Sequence, residues 1–228
     1  MELSVIIPVY NEKNTIAETI RRVKEADPPD KEIIVVDDAS EDGTRDILKG
    51  LDLEGLKVVF HDKNIGKGGA VRTGLAHASG DIVVMQDADF EYDPREIPLL
   101  LAPIKGGIAD AVYGTRLTGS KPQRVHMFWH KIGNTFITFV ANLIYNSTLT
   151  DIETCYKAFR RDIIKDINIK SNGFAVEPEL TAKIIKKNAR LYEIPISYYG
   201  RGYREGKKIR FYHGFEAIWA LIKFRFTD

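Results

Sequence analysis

Apolar and polar positions along the first 113 residues alternate in a repeating strand–helix pattern. Leu3–Val9 is an apolar run punctuated by Pro8 and closed by Asn11-Glu12, and Ile16, Ile20 and Val23 follow at helical spacing. Residues 33–36 predict a second strand ending in Asp37-Asp38-Ala39-Ser40, with Ser40 able to cap a helix that carries Ile47, Leu48 and Leu51. Residues 57–60 predict a third strand, and Asn64-Ile65-Gly66-Lys67-Gly68-Gly69 leads into a helix with Val71, Leu75 and Ala78. Ile82–Met85 is a fourth strand, Ile97, Leu100 and Leu101 mark the next helix, and residues 111–113 form a short fifth strand.

Short strands that are apolar on both faces and separated by helices predict an α/β fold with a mostly parallel central sheet covered on both sides. Ligands of such sheets bind beyond the carboxyl ends of the strands. Asn11-Glu12, Asp37-Asp38 and the acids from Asp87 to Glu91 all follow strands, so they are expected to line one crevice.

After Tyr113 the alternation stops. Phe128–Tyr145 reads as a helix with Trp129, Ile132, Phe136, Val140 and Leu143 or Ile144 on a broad apolar face. Residues 174–189 read as a helix with Glu177 and Glu179 near its start, where the dipole favours anions, and residues 191–196 as a strand. Residues 211–226 place Phe211, Phe215, Ile218, Trp219, Ile222 and Phe226 on one stripe beside Lys223 and Arg225. Such stripes suit core packing, and aromatics flanked by Lys and Arg also suit a helix lying in a membrane interface. The expected organisation is one domain over 1–210, with a nucleotide-binding half (1–113) and an acceptor-binding half (114–210), followed by an amphipathic helix at 211–228.

Composition confines the partners. The chain has 228 residues, 44% hydrophobic and 29% charged, enough to bury a core. A single cysteine, Cys155, excludes an internal disulfide framework and points to the cytoplasm. The N-terminus enters a strand without the pattern of a signal peptide, and no run approaches the ~20 apolar residues that span a bilayer. Net charge is only +1 but unevenly placed: residues 111–150 contain no Asp or Glu, whereas Arg116, Lys121, Arg124 and Lys131 lie there. Residues 201–210 carry five basic side chains against Glu205, so one face should attract anions. No nucleic-acid recognition motif accompanies that charge.

The densest candidate chemistry follows the fourth strand, where Asp87, Asp89, Glu91 and Asp93 alternate along the chain. Converging carboxylates repel, and a divalent cation such as Mg2+ or Mn2+, completing its shell with substrate phosphates, makes them tolerable. A solvated acidic turn ahead of the helix that begins Asp93-Pro94-Arg95-Glu96 is the plainer reading. The Gly66-Lys67-Gly68-Gly69 cluster is neither a P-loop nor G-x-G-x-x-G, which disfavours a dinucleotide-dependent oxidoreductase. It reads either as a tight loop or as backbone approaching a phosphate or ribose with charge from Lys67.

Taken together, Val5-Ile6-Ile7-Pro8-Val9-Tyr10-Asn11-Glu12, Val35-Val36-Asp37-Asp38-Ala39-Ser40, Asn64 to Gly69, Asp87-Ala88-Asp89, Tyr113-Gly114-Thr115-Arg116 and Tyr203-Arg204-Glu205-Gly206-Lys207-Lys208 resemble the motifs of family 2 glycosyltransferases in order. The resemblance is strongest to the dolichyl- or polyprenyl-phosphate mannose and glucose synthase branch and covers nearly the whole chain. It implies a Rossmann-like nucleotide-sugar-binding domain of GT-A type. It also implies that Pro8, Tyr10, Glu12, Val36 and Asp38 hold the base and ribose, with Lys67, Asp87, Ala88 and Arg204 also facing the nucleotide-sugar. Asp89 and Glu91 would hold the metal on the diphosphate. Glu91 departs from relatives that have Gln there, and relatives that continue into transmembrane helices differ from this chain, which stops at Asp228.

The resemblance implies an inverting, metal-dependent transfer of mannose or glucose from GDP-mannose or UDP-glucose to dolichyl or polyprenyl phosphate. A phosphate acceptor is already anionic and needs cationic positioning, which Arg116, His130, Lys131 and Arg204 supply. A saccharide hydroxyl needs a base, for which Asp151 stands in the matching place. Asp89, Arg116, Asp151 and Arg204 are thus the candidate catalytic residues. A lipid acceptor places the chain on the cytoplasmic face of a membrane, through its amphipathic helices or a separate membrane protein. The rival from another class is a non-catalytic nucleotide-sugar-binding module.

Overall fold

The computed structural model describes residues 2–125, 127–208 and 210–227, with the Arg204 side chain outside that description. In chain order the elements are β1 (Leu3–Val9), α1 (Ile16–Glu25), β2 (Lys31–Asp37), α2 (Thr44–Lys49), β3 (Leu56–Phe60), α3 (Lys67–His77) and β4 (Ile82–Met85). They continue as α4 (Ile97–Lys105), β5 (Ala111–Thr115), α5 (Phe128–Tyr145), β6 (Lys157–Arg160), α6 (Arg161–Ile164), α7 (Val176–Lys186), β7 (Leu191–Pro195) and α8 (His213–Phe226). The seven strands form one sheet ordered β3-β2-β1-β4-β6-β5-β7. Strands β3, β2, β1 and β4 are mutually parallel, β6 runs against both β4 and β5, and β7 is parallel to β5. Two reversals restore direction, so every strand but β6 points the same way.

Alternate side chains of each strand feed opposite layers. Ile6, Ile34, Val36, Val83 and Met85 pack with Ala70 and Val71 of α3 and with α5, α7 and α8. Val5, Ile7, Ile33, Val35 and Val84 pack with α1 and α4. The predicted α/β sheet is therefore present. The strand signals in the first 113 residues are all found, most extended by one to three residues once the ladder supplies hydrogen bonds.

Three local expectations change. Ser40 does not cap α2: its hydroxyl accepts from the Asn11 amide at 2.9 Å, and Asp42 accepts from the Thr44 amide at 3.0 Å instead. The chain turns once more, through Gly43 at φ +103°, before α2 starts. The helix expected at 174–189 spans Val176–Lys186, and Glu179 in its first turn accepts from the amides of Lys170 and Ser171, both at 2.7 Å. Strand β6 has no counterpart among the sequence-predicted strands.

The amphipathic helices face opposite to their aromatic stripes. Helix α8 buries Ala217, Ala220, Leu221 and Phe224, and α5 buries Ile137, Thr138, Ala141 and Tyr145. They lie side by side and run in the same sense: Ile137 ends against Gly214, and the Tyr145 hydroxyl donates to the Leu221 carbonyl at 2.7 Å. Among the described residues no helix is long and apolar enough to cross a membrane.

Candidate active site

With β6 the exception, the carboxyl ends of the strands share one edge of the sheet, and the polar segments that follow them meet there. β1 delivers Tyr10 and Glu12, β2 delivers Asp37 and Asp38, β4 delivers Asp87 to Glu91, β5 delivers Arg116, and β7 delivers residues 197–201. Because β6 runs in reverse, its starting end lies at the same edge and brings Asp151, Glu153 and Cys155.

The acidic cluster divides by partner. Asp87 accepts from Lys67 Nζ at 2.9 Å, and the same ammonium lies 2.6 Å from Cys155 Sγ and 3.3 Å from Glu177. Asp89 is 8% exposed; its Oδ1 accepts from the Glu91 amide at 3.0 Å and its Oδ2 from Arg201 Nη2 at 2.5 Å. Burial first, then the charges of Asp87 and Glu91, push the Asp89 carboxyl up to about 7. Glu91 accepts from the Arg201 amide at 2.5 Å and from the Tyr198 hydroxyl at 2.8 Å, with Lys207 Nζ at 3.5 Å. Asp93 caps the following turn by accepting from the Arg95 amide.

Arg201, not singled out from the sequence, is the cation at the centre. Its two terminal nitrogens each reach a Glu12 oxygen at 3.1 Å while one also reaches Asp89. Lys208 donates to Glu12 at 2.8 Å and to the Tyr10 carbonyl. Burial raises the Glu12 pKa, but the bonds from Arg201 and Lys208 outweigh it and leave the group below its ordinary value. The 201–210 loop thus folds its cations onto the acids of β1 and β4. Its basic composition was legible, but a run of three candidate arginines does not reveal which one reaches inward. Arg204 lies in the single helical turn Tyr203–Glu205, and its side chain is outside the described atoms.

The residues expected on the donor side differ in what they can offer. Pro8 and Tyr10 are partly exposed, whereas Val36 is fully buried in the core, so only its backbone can face a ligand. Ala88 is buried, and its carbonyl accepts from Thr19 Oγ1 at 3.1 Å. Asp38 accepts from His61 Nδ1 at 2.8 Å and from the amides of Ile65 and Gly66 at 2.8 and 2.7 Å. Its carboxylate therefore fixes the loop ahead of α3. The glycine cluster in that loop answers to packing: Gly66 sits at φ +97°, and a Cβ at Gly68 would overlap the Ser171 carbonyl. The Gly68 amide donates to the Asn172 carbonyl at 2.7 Å, a bond a phosphate would otherwise take.

On the other flank Arg116 grips Asp151 through Nε at 2.7 Å and Nη2 at 2.8 Å, while its amide donates to the same carboxylate at 3.1 Å. Asn134 Nδ2 of α5 adds a fourth bond at 2.8 Å. Asp151 is 0% exposed; burial raises its pKa, but Arg116 and Asn134 outweigh that and hold it low. The remaining Arg116 nitrogen accompanies the Tyr92 hydroxyl at 3.2 Å, and its plane lies over the Tyr198 ring at 5.0 Å. His130 pairs with the Tyr203 hydroxyl at 2.7 Å, and Lys131, one residue on, is exposed. Beneath them Lys157 is fully buried, bonded to Glu177 and to the Ile152 carbonyl.

The donor set suits a shared cation. Among the described residues no three His, Cys, Asp or Glu side chains form a complete metal cage. Asp89 and Glu91, two buried carboxylates with the Arg201 guanidinium drawn against both, are oxygen donors of the kind a divalent cation takes, and they would hold one only with further oxygens from a ligand.

Comparison with known proteins agrees with this geometry. The sequence profile described as Glycosyl transferase family 2 matches residues 4–167. The chain is 30% identical to an undecaprenyl-phosphate mannosyltransferase of Micrococcus luteus, over 91% of this chain and 87% of that one. It is also 30% identical to the glycosyltransferase AglJ of Haloferax volcanii, over 86% of this chain and 63% of that one. Among solved structures, glucosyl-3-phosphoglycerate synthase from Mycobacterium tuberculosis, in complex with Mn2+, uridine diphosphate and phosphoglyceric acid, superposes with a TM-score of 0.74 at 21% identity. That likeness covers 100% of this chain and 79% of the other and identifies a GT-A-like fold.

Proposed function

The chain belongs to glycosyl transferase family 2, and from that premise we propose that it transfers a hexose from a nucleotide-sugar to a polyprenyl phosphate at a membrane surface. The observation that carries the acceptor assignment is the state of Asp151. A base must offer a lone pair to the acceptor, yet this carboxylate is buried and already accepts four bonds, three of them from Arg116. It acts here as the positioning residue for Arg116. A hydroxyl acceptor would lack its base, whereas a phosphate acceptor is anionic at neutral pH and needs none.

Tyr10 and Glu12 receive the nucleoside, with Pro8 and the Val36 backbone flanking it and Asp38 shaping the pocket through the 64–66 loop. Asp87, fixed by Lys67, faces the sugar, and Ala88 sets the spacing between Asp87 and Asp89. Asp89 with Glu91 would hold a divalent cation, Mg2+ or Mn2+, which when bound supplies charge neutralisation to the leaving diphosphate. Arg201, Lys207 and Lys208, with Arg204 from the same loop, turn their charge to the diphosphate. Arg116, held in place by Asp151 and Tyr92, would offer the acceptor phosphate its remaining N–H groups and its charge, with His130 and Lys131 of α5 adding to it. An acceptor oxygen attacks the anomeric carbon as the bond to the nucleoside diphosphate breaks. One C–O bond replaces another with inversion, the leaving group departs with its electron pair, and no proton is transferred.

Incubating the protein with a panel of radiolabelled GDP- and UDP-hexoses, Mn2+ and polyprenyl phosphate, then extracting into organic solvent, tests the reading. Label in the organic phase that depends on both lipid and metal is expected. Label recovered only on added saccharides would transfer the assignment to a hydroxyl acceptor with Asp151 as base.

A further inference from the structure

The side of the molecule away from the sheet carries apolar surface that the core does not use. Helix α5 is 18 residues long and α8 is 14. On α5, Trp129, Phe136 and Leu143 recur at helical spacing on the face opposite Ile137 and Ala141, and all three are exposed. On α8, Phe215, Trp219 and Phe226 do the same opposite Ala217 and Leu221. The protein has two tryptophans, and both lie here, Trp129 78% exposed and Trp219 65% exposed. Contiguous exposed aromatic surface on a folded protein marks a docking face.

Charge chooses the occupant. Helix α5 contains no acidic residue and α8 contains only Glu216. Lys223 and Arg225 are exposed beside the aromatic stripe of α8, with the Lys223 ammonium over the Phe224 ring at 5.1 Å and the Arg225 guanidinium over the Tyr145 ring at 5.7 Å. A second copy of the same face would bring these cations against their own kind. An anionic lipid surface meets them with opposite charge, lets their aliphatic stems lie along the apolar stripe, and accepts tryptophan at its headgroup boundary.

We propose that the outer faces of α5 and α8 dock the protein on an anionic bilayer, with α5 setting the acceptor site at headgroup level. The helix does this because its two faces carry different work. Asn134, bonded to Asp151, and His130, bonded to Tyr203, belong to the acceptor flank, while Trp129 and Phe136 on the same turns face outward. The inference rests on the reading of a lipid-borne acceptor for its purpose, but not for its test.

The test is flotation with phosphatidylcholine vesicles, with and without phosphatidylglycerol and free of any polyprenyl phosphate. Wild-type protein is expected to float with the anionic vesicles and to be released by salt. The variant F215S/W219S/F226S, changed only on the outer face, is expected to bind at least about tenfold more weakly, with its melting temperature and its calorimetric affinity for nucleotide unchanged. Should that variant misfold, the wild-type tryptophans give a second readout. Their fluorescence is expected to be quenched by brominated lipid in anionic vesicles. Absence of flotation, equal flotation of the folded variant, or unquenched tryptophan in floated protein would each overturn the proposal. So would a wild-type dimer in solution that the variant abolishes, since a second copy would then cover the face. Loss of lipid-linked product with normal flotation would count against the acceptor reading alone.

Discussion

Arg201 occupies the centre of the acidic cluster, because it pairs with Glu12 and Asp89 at once. Removing its charge leaves those carboxylates short of a cation. Arg201→Gln is therefore expected to tighten Mn2+ binding without nucleotide by about tenfold, ~1.4 kcal/mol, read by electron paramagnetic resonance, while weakening nucleotide-sugar binding. Asp89→Asn should lower turnover by about 10²-fold or more at saturating donor, measured by organic extraction of labelled product. Wild-type turnover in that variant would remove Asp89 from the metal site. Glu153 offers a pH test away from those ligands. Burial, with Glu177 pushing the same way and Lys157 opposing, raises its carboxyl to about 7. An acid with a raised folded pKa binds its proton more tightly when folded, so stability falls as pH climbs from the ordinary carboxylate range through about 7 and then levels. Glu153→Gln should lose about 2 kcal/mol less than wild type between pH 5 and pH 8 in urea unfolding. At this scale the sequence named the acids and the basic loop but not their pairing. Arg201 and Arg204 are equivalent in composition, and only the path of the loop over Glu91 distinguishes them.

Individual elements show where periodicity informs and where it misleads. The stripe Phe215, Trp219 and Phe226 is the most apolar line on α8, yet the helix is held by Ala217, Ala220, Leu221 and Phe224. Small residues let α8 approach α5, and their low hydrophobicity conceals the buried face. Leu221→Ala should therefore cost about 3 kcal/mol in denaturant unfolding and Trp219→Ala less than about 0.5 kcal/mol. Strand β6 escaped notice for a related reason. Its sequence Lys157-Ala158-Phe159-Arg160 begins with a buried lysine, whose burial is compensated by Glu177, twenty positions further along the chain. A pattern of apolar positions cannot register an ion pair formed across such a separation. Strands β1, β2, β4 and β5 were legible because both of their faces are buried, so their apolar runs are nearly unbroken; the edge strand β3 is only half-buried but keeps Val58, Val59 and Phe60 in a row.

For the molecule as a whole, the alternating strands and helices predicted a crevice beyond the strand ends, and the segments after β1, β2, β4, β5 and β7 meet there. What the pattern lacked was the single reversed strand, which carries Asp151 and Glu153 to the same edge. The 201–210 loop then closes three carboxylates, Glu12, Asp89 and Glu91, with three cations, Arg201, Lys207 and Lys208. On the proposed reading, that matching would make donor loading an ion exchange. A nucleotide-sugar arriving with a divalent cation is itself close to neutral; the carboxylates would then hold the cation, and the arginine and lysines they release would hold the diphosphate. Four charged parties would change partners while the total stays constant. Donor affinity at fixed metal should accordingly vary little with ionic strength, in contrast to the steep salt release expected of the α5–α8 face.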